Sequence, residues 1–135
     1  MLGFDQTITV YNSQYNEATG FNDYSRTVIV GVSWYSRIKA AANSNGIVYD
    51  RLFQVRIPNS AEAEKLYTAP DQFTDPSTQY TLKVGSRIVK GIGPPAPVDG
   101  EKWAELITKH DEAFQIIGYR DNRRIGLKQL YVEGK

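Results

Sequence analysis

Apolar positions recur with period two in several short runs of this chain, and with helical period in only one. The clearest alternation lies within residues 26–58. Val28, Val30, Val32 and Trp34 share one parity, while Thr27, Ile29, Gly31 and Ser33 share the other. Successive strand side chains point to opposite faces, so the four large residues predict one apolar face. Asn43, Ser44, Asn45 and Gly46 form the strongest turn signal, because Asn and Gly adopt positive φ at little cost. A second run follows, in which Phe53, Val55 and Ile57 alternate with Gln54 and Arg56 until Pro58 stops it. The pattern predicts a long antiparallel pair with a small loop, residues 40–46, at its tip.

Around that pair the other elements fall in order. Thr7 to Tyr11 predicts a short strand with Ile8 and Val10 inward. Residues 12–25 predict a polar connection whose Tyr15, Phe21 and Tyr24 pack down on the body of the protein. Ser60 to Leu66 can form one helical turn capped by Asn59 or Ser60, after which Pro70, Asp71, Asp75 and Pro76 forbid regular structure. An excursion of that length, residues 59–77, is usually functional or mobile. Tyr80 to Val84 and Arg87 to Lys90 flank Gly85-Ser86, which predicts a two-residue hairpin. A proline-rich link follows, and Asp99 then caps a helix running to His110. Its stripe is Trp103, Leu106, Ile107 and His110, at i, i+3, i+4 and i+7. Strands over residues 113–119 and 126–132 close the chain, joined by a turn at Asp121, Asn122, Arg123 and Arg124. The expected core is Val30, Val32, Trp34, Phe53, Val55 and Ile116, in one β-rich domain spanning residues 1–135.

Composition removes more functions than it suggests. The chain has 16 basic and 15 acidic residues, so no global field draws it to nucleic acid or membrane. It has no cysteine, which removes disulfides, thiolate zinc sites and cysteine nucleophiles and suits a cytosolic setting. The first residues lack the basic region and apolar run of a signal peptide. No apolar stretch approaches the roughly 20 residues of a membrane span. Nine tyrosines and two tryptophans suit a small β core and also protein–protein contacts.

Catalytic constellations are missing. The one histidine, His110, ends the predicted helix, where an imidazolium favours the negative end of the dipole. A triad would depend on it alone, and no serine has a nucleophile-elbow setting. The carboxylates show no calcium-loop spacing. Glycines near Gly85, Gly91 and Gly93 are not in phosphate-loop order and read as turns. Asp111 and Glu112 are neighbours in sequence, and neighbours on a strand face opposite ways, which makes a poor acid/base pair. No enzyme activity, cofactor or metal is expected. A basic cluster, Arg120, Arg123 and Arg124, can contact phosphate or form a solvated hairpin tip.

The order of the pieces carries a resemblance. Ile8-Thr9-Val10-Tyr11-Asn12 opens the chain, and Arg26 to Trp34 follows a loop. Asn45-Gly46 leads into an aromatic- and Val-rich strand ending Arg56-Ile57-Pro58. Then come Thr81 to Gly91, and a last hairpin at Asp121 to Arg124 closing at Gly134-Lys135. In this order the chain resembles the minor structural proteins encoded among the head and tail genes of tailed phages and prophages of Gram-positive hosts. More distantly it is similar to the head-completion, or stopper, proteins of the phage neck. The resemblance implies a compact β-barrel-like domain. Joined to the patterns above it gives a mainly β fold, a small antiparallel β-barrel-like domain with one short helix, although the link at residues 94–98 and the helix have no counterpart in that family. It further implies a hexameric ring in the virion, assembled in the host cytoplasm, between the portal-bound adaptor and the tail. In stoppers the loop joining the two long strands projects into the channel and helps hold DNA back. The matching candidates here are Arg37, Lys39, Ala41, Asn43, Ser44, Asn45 and Gly46, though a loop so short and small-sided departs from an ideal plug. Residues 26–35 and 59–77 would meet neighbouring subunits, and contact with DNA would be non-specific. Two alternatives stand beside this. One is a tail component, terminator- or tube-associated. The other is a stand-alone small barrel binding nucleic acid or saccharide, with Tyr11, Tyr35 and Tyr49 as a stacking platform.

Overall fold

The computed structural model describes residues 4–43, 46–110, 112–121 and 129–135. Its strands are β1 (Gln6–Asn16), β2 (Phe21–Asn43), β3 (Gly46–Pro58), β4 (Glu62–Ala63), β5 (Leu66–Tyr67), β6 (Gln79–Tyr80), β7 (Arg87–Lys90), β8 (Ala113–Asp121) and β9 (Gln129–Gly134). One helix, α1 (Gly100–Thr108), and a 3-10 turn at Pro70–Gln72 complete it. Six strands close into an antiparallel barrel in the order β1–β2–β3–β9–β8–β7 and back to β1. The expectation of a small antiparallel barrel with one short helix is thus met. Closure leaves no free edge among those six along the paired stretches.

The long strand β2 serves two neighbours in turn. Its first part pairs with β1 and its second part with β3, from Ser33↔Arg56 outward. Between them the register slips, since Gln6 faces Val32 but Thr7 faces Val30, which leaves Gly31 as the extra residue of a bulge. Gly31 has φ +91°, which an L side chain adopts only with strain. The bulge reverses the parity of the strand. Thr27 and Ile29 point into the barrel before it, and Val32 after it. Val30, expected in the core, is therefore 47% exposed. Val32, Phe53, Val55 and Ile116 are buried as expected, and Trp34 packs partly buried against the same cluster.

The barrel interior holds Ile8, Val10, Ile29, Ile57, Leu82 and Ile88 among others. One end is filled by Trp34, Phe53 and Phe114, with ring centroids 5.1–5.5 Å apart. Glu112 lies over that end, accepting from Trp34 Nε1 at 2.8 Å and pairing with Arg51. This is a structural use of a carboxylate whose sequence neighbour, Asp111, lies outside the described residues.

The outer face of β1, β7 and β8 is also covered. Tyr11, Val89, Leu106 and Ala113 form a second cluster, against which Trp103 and Ile107 of α1 pack. The predicted cap is found, with Asp99 Oδ1 accepting from the Lys102 N–H at 2.9 Å, and Trp103, Leu106 and Ile107 of the stripe face the barrel, but the helix ends at Thr108, short of His110. Four side chains bind the Pro-rich link and the helix to the barrel. The Tyr11 hydroxyl donates to Pro94 O at 2.6 Å, and Thr9 Oγ1 to Gly91 O at 2.7 Å. Arg26 donates to Gly93 O and Arg87 to Trp103 O, each at 2.7 Å.

Three local expectations are corrected. Residues 12–25 do not form a packed-down connection: β1 and β2 continue as a hairpin to Asn16↔Phe21, leaving Tyr15 and Phe21 exposed. Only Tyr24 packs inward, 5.2 Å from Trp103. Residues 60–66 are not helical. The N–H of Glu64 bonds to Val28 O at 3.2 Å and β4 pairs with β2 there, so the excursion is fastened to the edge of β2. Gly85, at φ +99°, does make a turn, with Ser86 N–H donating to Lys83 O at 3.0 Å. Its flanks do not pair with each other, however. β6 runs parallel to β5, and β7 lies between β1 and β8. Buried Asn12 holds the unpaired stretch in place, donating to Thr81 O at 2.7 Å and to Ser86 Oγ at 3.0 Å.

Candidate functional site

Pairing between β3 and β9 ends at Phe53↔Gly134, whereas β2 and β3 remain paired out to Asn43↔Gly46. The seven outer pairs, from Arg37↔Leu52 outward, thus form an arm with no third strand among the described residues, about 20 Å long at ~3.3 Å per residue. The candidate channel residues map onto it with one correction. Residues 40–43 are strand rather than loop, with Ala41 opposite Val48 and Asn43 opposite Gly46. Ser44 and Asn45, which join the strands, lie outside the described residues. So do the side chains of Lys39, Ala41, Asn43 and Tyr49. Arg37 is exposed near the base of the arm, and Ile38 is 70% exposed opposite Arg51.

On the barrel's outer sheet face, four pairs inward of Arg37↔Leu52, lies a cross-strand row. Register places Ser33, Arg56, Tyr131 and Arg120 side by side on β2, β3, β9 and β8. The Arg56 guanidinium lies 5.3 Å from the Tyr131 ring centroid and that of Arg120 lies 5.9 Å away. A tyrosine between two arginines holds both by cation–π attraction while their charges stay in solvent. The Tyr131 hydroxyl donates to Glu133 Oε2 at 3.3 Å. Burial pushes the Tyr131 phenol pKa up, and the Glu133 carboxylate adds to that. Arg37, Arg56 and Arg120 make no ion pair among the described residues. Arg37, Arg56 and Arg120, with one nearby carboxylate at Glu133 and exposed Tyr35 on the same sheet face, can contact an extended polyanion.

The row redistributes the expected site residues. Arg120 sits beside Arg56 rather than only in a turn cluster, and Arg123 and Arg124 lie outside the described residues. Arg56 was missed because its link to Arg120 runs through β9, a pairing that no local pattern encodes. Tyr11 is excluded as a stacking platform. It is wholly buried, and burial pushes its phenol up to about 12. His110 lies just beyond α1, its Nδ1 3.1 Å from Leu106 O. Among the described residues, no group of three or more His, Asp or Glu is placed to hold a metal. No helix among them is long and apolar enough to cross a membrane.

No curated protein and no solved structure matches this chain. Residues 3–135 match a family of unknown function, DUF6751. The barrel, its arm and the Arg56–Tyr131–Arg120 row are thus features of a chain that belongs to the DUF6751 family.

Proposed function

We propose that this chain is a structural protein of a tailed-phage head–tail interface, a neck or stopper-type ring component that joins the portal–adaptor to the tail and helps retain DNA. The observation that carries this reading is the two-stranded arm, Arg37↔Leu52 to Asn43↔Gly46, standing out from a closed barrel. A closed barrel supplies a rigid block for a ring, and a self-paired arm can reach into a lumen without loosening that block. Arg37 on the arm and the Arg56–Tyr131–Arg120 row would meet DNA through phosphates, without sequence preference. In this role the protein performs no catalysis, occupies the virion neck and assembles in the host cytoplasm.

Native mass spectrometry tests this, on the protein alone and mixed with portal–adaptor complexes. The expected result is a ring, six copies by the resemblance, or incorporation onto the adaptor. A protein that stays monomeric and unbound in both conditions would overturn the reading.

A second reading draws on the arginine–tyrosine row: a stand-alone barrel that binds nucleic acid. It requires salt-sensitive DNA or RNA binding by the isolated monomer. The neck reading instead places DNA contact in the assembled ring.

A further inference from the structure

Two surface features have no role in the monomer: an exposed aromatic hairpin tip and an apolar cleft. At the tip of the β1–β2 hairpin Phe21 is 76% exposed and Tyr15 63%. The tip itself is tightly bonded. Asn16 O accepts from the N–H of Gly20 at 2.9 Å and of Thr19 at 3.3 Å, and Asn16 Oδ1 from that of Ala18 at 2.9 Å. The Phe21 N–H donates to Thr19 Oγ1 at 3.3 Å. Such a pre-ordered tip loses little entropy on docking. The pairs Asn16↔Phe21 and Tyr15↔Asn22 are adjacent, so Phe21 and Tyr15 project from opposite faces of the hairpin.

The cleft, about 530 Å³, runs between the proline-rich link and α1, with Pro94, Pro95, Pro97 and Val98 on one side and Leu106 on the other. Its polar lining, Lys102, Glu105, Lys109 and His110, all comes from α1 and the residues just after it, opposite the apolar proline wall. Lys102 and Lys109 at its rim are more than half exposed and share Glu105, at 3.3 and 3.2 Å. The hairpin tip has the complementary character, with exposed Glu17 and Asp23 flanking Phe21. An aromatic ring stacks readily on prolines, the cleft has room for an aromatic side chain, and the two rim lysines outnumber the one glutamate they share, opposite in sign to Glu17 and Asp23.

We propose that Phe21 of one copy seats in the proline-walled cleft of the next copy, with Glu17 and Asp23 meeting Lys102 and Lys109. Tip and cleft are different surfaces, so the contact is heterologous and repeats head to tail, closing into a ring if the rotation allows. The inference rests on the ring-forming reading above and names the surface through which the ring is built. Phe21 is its anchor, in the manner of an aromatic hot spot surrounded by weaker polar contacts.

Cross-linking tests it without background, because the chain has no native cysteine. The variant carrying both Phe21→Cys and Val98→Cys is oxidised and compared with each single variant. The expected result is a ladder of covalent oligomers from the double variant and nothing beyond dimers from either single one. In parallel, Phe21→Ser is expected to weaken self-association on the order of 30-fold, with an unchanged melting temperature because the side chain is exposed. Tyr15→Ser, on the opposite face, leaves association within a few-fold of the parent. If the parent assembles, Phe21→Ser assembles equally and no ladder forms, this contact is overturned while the ring reading stands. A parent that remains monomeric, alone and with the portal–adaptor complex, overturns both.

Discussion

Tyr11 secures the helix side of the barrel. Its ring is wholly buried between β1 and the proline-rich link, and its hydroxyl donates to Pro94 O at 2.6 Å. Burial pushes the phenol up to about 12, against a small opposing pull from Arg26. The folded-state pKa is raised above the unfolded value of about 10, so the neutral form is favoured in the fold. Its contribution is fully present below pH ~10 and is lost as pH rises through about 12. Tyr11→Phe should therefore lower stability by about 1 kcal/mol at neutral pH, the loss of one hydrogen bond. It should also flatten the decline between pH ~10 and ~12 in a denaturant series compared with the parent. An unchanged alkaline slope would mean that Tyr11 titrates freely. A second residue, Gly31, decides which valines are buried. Through the bulge, Val32 is fully buried and Val30 is 47% exposed. Val32→Asp should cost about 4 kcal/mol or more, as an unpaired charge in the core, whereas Val30→Asp should cost about 1 kcal/mol or less. Chemical denaturation of the two variants side by side checks this, and equal losses would sink the parity reversal. In the sequence these valines look alike. Glycine within a strand is the only mark of a bulge, and glycine there has other uses.

At the scale of elements, those that depend on near neighbours were readable and those that depend on distant ones were not. Helix α1 is specified by its own residues: the Asp99 cap, the stripe of Trp103, Leu106 and Ile107, and the link that precedes it. Asp99→Ala should accordingly cost about 1 kcal/mol, read as a lower denaturation midpoint with an unchanged slope. No loss would show that packing alone holds the helix. The turn at Gly85 is local too, and it was found, but the strands it joins were assigned the wrong partners. β7 pairs with β1, so that Thr9 bonds to Gly91 across 82 residues, a closure no short window reveals. The excursion of residues 59–77 stood out by its length alone. Its two-residue strands are too short to carry a period: β4 takes its place from β2, helped by the bond from Lys65 Nζ to Arg26 O at 2.8 Å, and β5 from β6. The exposed tip of the β1–β2 hairpin at Phe21 was misread for the opposite reason. Aromatic residues usually pack, and only the pairing Asn16↔Phe21 reveals that the hairpin continues past the barrel.

In the whole molecule, near-neutral composition conceals an uneven surface. The net charge is +1, yet Arg37, Arg56 and Arg120 have no carboxylate partner among the described residues, while Glu62, Glu64, Asp71 and Asp75 share the excursion with a single lysine, Lys65. A sequence-wide charge balance argued against nucleic acid, but charge acts at the range of a Debye length, about 8–10 Å, so local arrangement decides. The arm offers the most direct test of a channel role. Its outer strand residues pair with each other, so deleting residues 40–43 together with 46–49 removes four complete pairs and rejoins Lys39 to Asp50 through the original connection. An even number of residues leaves each strand, which preserves the alternation of faces below the cut. Every described member of the two buried clusters is kept, so the variant should melt within a few degrees of the parent and still form the ring. If the arms line a channel, particles assembled with it should package DNA and then lose it, and the loss should be measurable as fewer filled heads after storage. Arg56→Glu with Arg120→Glu probes the sheet face separately: it should reduce DNA affinity and flatten its salt dependence, because each arginine removed is one fewer counterion-releasing contact. Retention equal to the parent's in the arm-shortened particles would exclude the arm as a DNA stop and leave it a contact between rings.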